Sequence, residues 1–242
     1  MNLVVDVGNS LIKFAVFDKG NILFDSVIES EKTAGHIKDI FKRFPKIKNA
    51  IVSSVGNLND KDFAVLSVFC KVHVLSHNSK VPFKNSYATP QTLGVDRIAL
   101  ATAAFYHNPN ANTLVIDAGT CLTYDMLNDY GEYLGGGISP GLAMRYRSLS
   151  EQTSKLPLLG PDELFDFIGN STKTSIHSGV LNGISVEIDG VIDQYRSRFT
   201  DLTVILTGGD GQFLSKRLKN TIFAHSKFLL LGLNYLLEYN KD

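Results

Sequence analysis

Apolar residues recur along the chain at two different spacings, and the switch between them marks its elements. Three runs rich in β-branched and aromatic residues come first: Leu3–Val7, Leu11–Phe17 and Asn21–Ile28. Gly8-Asn9-Ser10 and Asp18-Lys19-Gly20 separate them. Turn residues of that kind between β-forming runs predict three strands in an antiparallel meander. From Thr33 to Phe44 the spacing changes, with Ile37, Ile40, Phe41 and Phe44 at the i, i+3, i+4, i+7 positions of a helix. A short strand follows at Ala50–Val55, then a helix at Asp60–Cys70 with Phe63, Leu66, Phe69 and Cys70 on one face. Val72–Leu75 reads as a strand and Val95–Tyr106 as a helix, so the order is β-β-β-α-β-α-β-α.

At Asn108–Asn112 the composition becomes Asn-Pro-Asn-Ala-Asn, a joint rich in turn formers. The pattern then starts again. Strands are predicted at Thr113–Asp117, at Leu122–Leu127 and beyond Gly131. Helices follow at about Gly141–Gln152 and Thr172–Arg198, the second with Val180, Ile184, Ile188, Val191, Ile192 and Tyr195 at helical spacing. Leu202–Thr207 and Thr221–Ala224 read as strands, Gln212–Leu218 and Leu229–Tyr239 as helices.

The restart is also visible residue by residue. Leu3-Val4-Val5-Asp6-Val7-Gly8-Asn9 aligns without gaps on Leu114-Val115-Ile116-Asp117-Ala118-Gly119-Thr120. A matching turn within a matching element order implies a duplicated α/β unit. The expected fold is therefore α/β, two ribonuclease-H-like domains of the actin-like ATPase kind facing each other across a cleft, with boundaries at 1–108 and 109–242.

The 242 residues suffice for a substantial core, and composition is ordinary for a globular protein. Lys plus Arg and Asp plus Glu each number 24, so no global field draws in nucleic acid or anionic lipid, and neither partner is expected. Cys70 and Cys121 are too few and too far apart for a disulfide framework or a zinc motif, and read as small buried hydrophobes. No structural transition-metal site is expected among the six histidines. No apolar run reaches membrane length, and Met1 leads straight into a strand, which reads as cytoplasmic.

Chemistry concentrates at the duplicated turns. A buried strand delivers a carboxylate, Asp6 or Asp117, to its end. The following glycine lets backbone approach a phosphate, and Asn9 or Thr120 adds a polar side chain and turn N–H groups. Two such turns would hold a triphosphate. The plain alternative, a turn that merely closes a hairpin, is weakened by the duplication. Lys13 on the next strand would reach a phosphate or stand in solvent. Leu206-Thr207-Gly208-Gly209-Asp210 ends a strand in bare backbone, against which an adenine would lie. It looks like the nucleoside site of the superfamily of acetate and sugar kinases, Hsp70 and actin.

Two further stretches narrow the resemblance. Tyr87-Ala88-Thr89-Pro90-Gln91-Thr92-Leu93-Gly94-Val95-Asp96-Arg97 is similar to the Tyr…Pro…Gly-x-Asp-Arg signature of type III pantothenate kinases. Gly135-Gly136-Gly137-Ile138-Ser139-Pro140-Gly141 resembles their Gly-Gly-x-Ile-x-Pro-Gly segment, and Gly169–Gly179 their substrate-capping stretch. Ser10, often Thr in that family, and Ser171-Thr172, often Asn-Thr, are minor departures.

The resemblance implies ATP-dependent phosphorylation of pantothenate to 4′-phosphopantothenate, the first step of coenzyme A biosynthesis. It implies ATP binding by Asp6, Val7, Gly8, Asn9, Ser10, Leu11, Ile12, Lys13 and Thr120. Pantothenate would be held by Tyr87, Gly94, Val95, Asp96, Arg97 and Thr172, with Asp96 as the base. Asp117 would ligate a monovalent cation, K⁺ or NH₄⁺, and Mg²⁺ would arrive with ATP. A homodimer is implied as well. Two bland readings stand beside these roles: Asp96 as an N-cap of its helix, and Arg97 as half of a surface ion pair. His177 reads as a helix-surface histidine. Alternative functions are a kinase of the same fold acting on another small polyol or acid, and a non-catalytic nucleotide-binding regulator.

Overall fold

The computed structural model describes residues 1–8, 11–29, 32–54, 60–162 and 166–241, with backbone alone for 60–63. The chain forms two compact units, one of Met1–His107 with Phe228–Asp242, the other of Asn108–Lys227.

In the first unit β1 (Asn2–Val7), β2 (Leu11–Asp18) and β3 (Asn21–Glu29) form the meander that the turn residues predict. Helix α1 (Thr33–Arg43), β4 (Asn49–Ser54), α2 (Asp60–Phe69) and β5 (Lys71–Val74) follow. Both β4 and β5 run parallel in the sheet, which has the order β3-β2-β1-β4-β5. A two-residue strand β6 (Lys84–Asn85) and a short 3₁₀ turn at Pro90–Thr92 lead to α3 (Val95–His107). The expected end of the fourth strand, Val55, and Phe63 of the predicted helical stripe lie outside the residues whose side chains are described.

Strand β1 is buried on both faces, as a central strand must be. Its odd residues Leu3, Val5 and Val7 join Ile37, Ile40, Phe41 and Leu66 in one core. Its even residues face the other way. There Asn2 Nδ2 donates to Asn234 Oδ1 at 2.8 Å, and Asn234 belongs to the last helix. That helix and α3 cover this second face and pack closely, because a Cβ on Gly232 would collide with the Ala99 carbonyl of α3.

The second unit repeats the plan. Strands β7 (Thr113–Ala118), β8 (Cys121–Leu127) and β9 (Glu132–Pro140) are antiparallel. Then come α4 (Leu142–Glu151), α5 (Thr172–His177), one π-helical stretch at Ser178–Asn182, and α6 (Gly183–Arg196). Strand β10 (Thr203–Thr207), α7 (Gly211–Ser215) and β11 (Phe223–Ala224) complete it. The strands lie in the order β9-β8-β7-β10-β11, the same order as in the first unit. The single helix expected at Thr172–Arg198 is thus interrupted where Gly179 and Gly183 let the backbone widen.

The closing helix α8 (Phe228–Tyr239) differs from the expected division at 109–242, since it packs within the first unit. Periodicity finds the helix but carries no information about which sheet it covers. Both cysteines are half-buried free thiols, Cys70 packed against the core of the first unit, and burial pushes the Cys70 thiol up to about 11. Among the described residues no helix is long and apolar enough to cross a membrane.

Candidate functional site

In the first unit the alternation of β1 sends Asp6 to the face covered by α3 and α8. Gly8 closes the hairpin beyond it, its N–H donating to the Leu11 carbonyl at 3.1 Å. A Cβ on Gly8 would press on that same oxygen, so the loop backbone stays bare. Asp6 and Lys13 are cross-strand partners, and Lys13 Nζ lies 3.5 Å from Asp6 Oδ2. The Lys13 side chain keeps 43% of its exposure, so its ammonium reaches solvent while its partner does not. Burial raises the pKa of Asp6 above the ordinary 3.8; Lys13 counteracts this, and the nearby charge of Asp96 adds to the rise. Asp6, Lys13 and Asp96 are thereby gathered at one place. Val7 and Ile12 are buried core residues of the same hairpin, while Asn9 and Ser10 lie outside the described residues.

Asp96 is not the N-cap of α3. The helix starts after Gly94, whose carbonyl accepts from Ile98 N–H at 3.2 Å, and Asp96 sits in its first turn. Its Oδ1 accepts the Arg97 N–H at 2.8 Å, and a Cβ on Gly94 would collide with that oxygen. Gly94 is therefore required for the Asp96 carboxylate to lie as it does. Val95 is buried beneath it. Arg97 is also buried, with its guanidinium 5.7 Å from the centre of the half-buried Tyr87 ring. A buried arginine over an aromatic face is not a surface ion pair.

In the second unit the corresponding turn is built differently. Gly119 N–H donates to the Cys121 carbonyl at 3.0 Å, and the cross-strand partner of Asp117 is Thr123, a hydroxyl where the first copy has an ammonium. The Thr123 hydroxyl donates to Asp125 Oδ2 at 3.1 Å, and Asp125 is buried and also accepts from Tyr133 at 2.7 Å. Gly208, at a φ of 93°, brings bare backbone against Asp117, for a Cβ there would collide with Asp117 Oδ1 and the Ala118 carbonyl. Asp210 N–H donates to that carbonyl at 3.0 Å, and burial raises the pKa of the Asp210 carboxyl. On the other side Gly141 N–H donates to the Thr120 carbonyl at 3.2 Å, and a Cβ on Gly141 would collide with it. Both glycine-rich segments thus buttress the second turn.

An open cavity of about 230 Å³ adjoins Gly208 and is bounded by Thr207, Gln212, His225 and Ser226. Gln212, His225 and Ser226 carry no local signal in the sequence; only the fold brings them to the Gly-Gly turn. Exposed Thr172 opens α5, whose capping box pairs Ser171 with Thr174. His177 is not on the helix surface as expected: it is 2% exposed, and its Nδ1 lies 2.9 Å from the Tyr146 hydroxyl. Burial pushes that hydroxyl up to about 12. The face of α5 that carries Ile176 and His177 turns into the core of the second unit.

These residues fit a metal-nucleotide. A bare glycine turn beside a lysine suits phosphate, and a desolvated carboxylate next to a second carboxylate suits a cation. Asp117, facing a hydroxyl and bare backbone, suits one as well.

The family model for type III pantothenate kinases matches residues 2–194. The type III pantothenate kinase of Flavobacterium johnsoniae is 49% identical over 242 residues, covering 100% of this chain and 99% of that protein. Among solved structures, a Campylobacter jejuni protein of the Baf family is 24% identical with a TM-score of 0.64, covering 98% of each chain. The inorganic polyphosphate/ATP-glucomannokinase of Arthrobacter sp. strain KM has a TM-score of 0.52 at 14% identity, over 99% of this chain and 98% of that one. At these identities both structures speak to the fold alone, which is the two-domain actin-like one.

Proposed function

The chain belongs to the type III pantothenate kinase family, and from that membership we infer how its residues divide the work of the reaction. It is an ATP-dependent phosphotransferase that converts pantothenate to 4′-phosphopantothenate, the first step of coenzyme A biosynthesis. The observation that carries the division of roles is the gathering of Asp6, Lys13 and Asp96 in one unit, next to buried Arg97 and Tyr87.

Bound ATP supplies the phosphoryl group, and Mg²⁺ carried with it offsets the charge of the phosphates. The turn from Asp6 to Lys13 cradles those phosphates, with Gly8 giving close approach and Lys13 a cationic contact. Thr120 of the second unit is a further ATP ligand, and the cavity beside Gly208 takes the nucleoside. Asp96 accepts the proton of the primary hydroxyl. The Arg97 N–H holds one of its carboxylate oxygens, which orients the other towards that hydroxyl. Modest help from a base suffices where positioning and charge neutralisation dominate. Tyr87, Gly94, Val95 and Arg97 hold pantothenate, Arg97 through its carboxylate, and Thr172 contacts it from the capping stretch. Asp117 holds K⁺ or NH₄⁺. We further infer a cytoplasmic homodimer.

The test is an ATP-coupled assay of pantothenate against a panel of sugars. Turnover of pantothenate alone is expected, falling strongly when sodium replaces potassium. Asp96→Asn should bind ATP yet lose transfer by at least about a hundredfold, the usual contribution of a general base. Full activity of that variant would remove Asp96 from the role.

A further inference from the structure

Ser53 is a buried hydroxyl in the row that carries Asp6. It stands on β4 in register with Asp6 on β1, and Asp6 is in register with Lys13 on β2. Three neighbouring strands therefore present Lys13, Asp6 and Ser53 side by side. Their face of the sheet is the one covered by α8 and α3, because Asn2, four residues before Asp6, reaches Asn234 of α8 there. Adjacent strands lie about 4.8 Å apart, so a serine and an aspartate at paired positions meet by a change of rotamer.

Ser53 is 0% exposed, and its Oγ has no hydrogen-bond partner among the described residues. A buried hydroxyl left unpaired costs stability, and alanine would serve folding better at this position. A polar group that folding does not favour, placed next to a phosphate-loop carboxylate, points to the site. Among the described residues Asp6 is held by the Lys13 ammonium 3.5 Å away. A carboxylate held from one side swings, whereas a second donor opposite fixes its plane.

We propose that Ser53 is a positioning residue for Asp6, its O–H donating to the Asp6 carboxylate when the Lys13 ammonium turns from that group towards the nucleotide phosphates. The proposal rests on the reading of Asp6–Lys13 as the phosphate loop. Ser53 touches neither substrate; it acts by holding Asp6.

The experiment compares Ser53→Ala and Ser53→Thr with the unaltered protein, by melting without ligand and by kinetics with each substrate varied. Ser53→Ala should melt at or above the original temperature, while its KM for Mg-ATP rises about tenfold, the effect of one lost hydrogen bond to a charged group. KM for pantothenate should stay constant, and Ser53→Thr, which keeps the hydroxyl, should recover most of the loss. In an Asp6→Asn background Ser53→Ala should add nothing, because the acceptor is gone. An unchanged KM for Mg-ATP in Ser53→Ala overturns the proposal. So does a lower melting temperature with both substrates equally affected, which marks a purely structural hydroxyl. Should Asp6→Asn alone leave KM for Mg-ATP unchanged, the phosphate-loop reading of Asp6 falls, and the proposal with it.

Discussion

Asp6 and Asp117 occupy equivalent places in the two copies, yet their surroundings differ. Across the hairpin Asp6 meets an ammonium and Asp117 a hydroxyl. The first is already ion-paired, which suits a loop that hands cationic contacts to phosphate. The setting of the second suits the cation proposed for it. Burial of the Asp6 carboxyl also works against folding. Its pKa is raised chiefly by burial, with Asp96 adding to the effect. The folded carboxyl thus holds its proton more tightly than the unfolded one. Its contribution favours the native state below the ordinary pKa and is lost as pH rises through the folded value. Asp6→Asn should therefore melt higher than the unaltered protein at neutral pH, by roughly 2–4 °C for each kcal/mol relieved. The difference should vanish below about pH 3.8, the ordinary value. Phosphoryl transfer should fall in the same variant. A pH series of thermal melts beside an activity assay checks both, and equal melting at neutral pH would contradict the burial argument.

At the scale of elements, the site depends on where α3 begins and how it is held. Gly94 sets the start of the helix and clears room for the Asp96 carboxylate. At its middle, Ala99 rests on Gly232 of α8 with no space for a side chain between them. Gly232→Ala should push α3 away from α8 and move Asp96 and Arg97 with it. Overpacking of this kind costs about 1–3 kcal/mol. Denaturant unfolding should register that loss, and kcat should drop although no side chain of the site is altered. An unchanged unfolding midpoint would show that the two helices part without penalty. The same logic explains Gly208 and Gly141, where bare backbone rather than a side chain supports the Asp117 turn.

For the whole molecule, the chain's two ends meet in one unit. Phe228, Leu230, Leu233, Leu236 and Leu237 of α8 are buried, and each contributes about 1.5–3 kcal/mol by leaving water. Their sum is comparable to the entire stability of a domain. A chain ending at Lys227 keeps every motif named above, yet it should lose the cooperative melting of the first unit and all transfer activity. Circular dichroism melts and the coupled assay decide this; retained activity would mean that α8 is dispensable. The second unit, which contains no part of α8, should keep its own transition.

The sequence by itself determined the duplication, the strand-turn carboxylates and the type of almost every element. Those features are local: two-residue alternation, helical spacing and Gly-containing turns act through short-range sterics. The family was legible too, because Tyr87, Gly94, Asp96 and Arg97 stand close together along the chain. Tertiary structure alone decided what depends on contacts between distant segments. It placed α8 in the first unit, turned His177 from a helix surface into a buried partner of Tyr146, and brought Gln212 and His225 to the Gly208 turn. It also set Ser53 beside Asp6 across a parallel strand pair, a register that depends on how a whole sheet is assembled and leaves no trace in the spacing of residues.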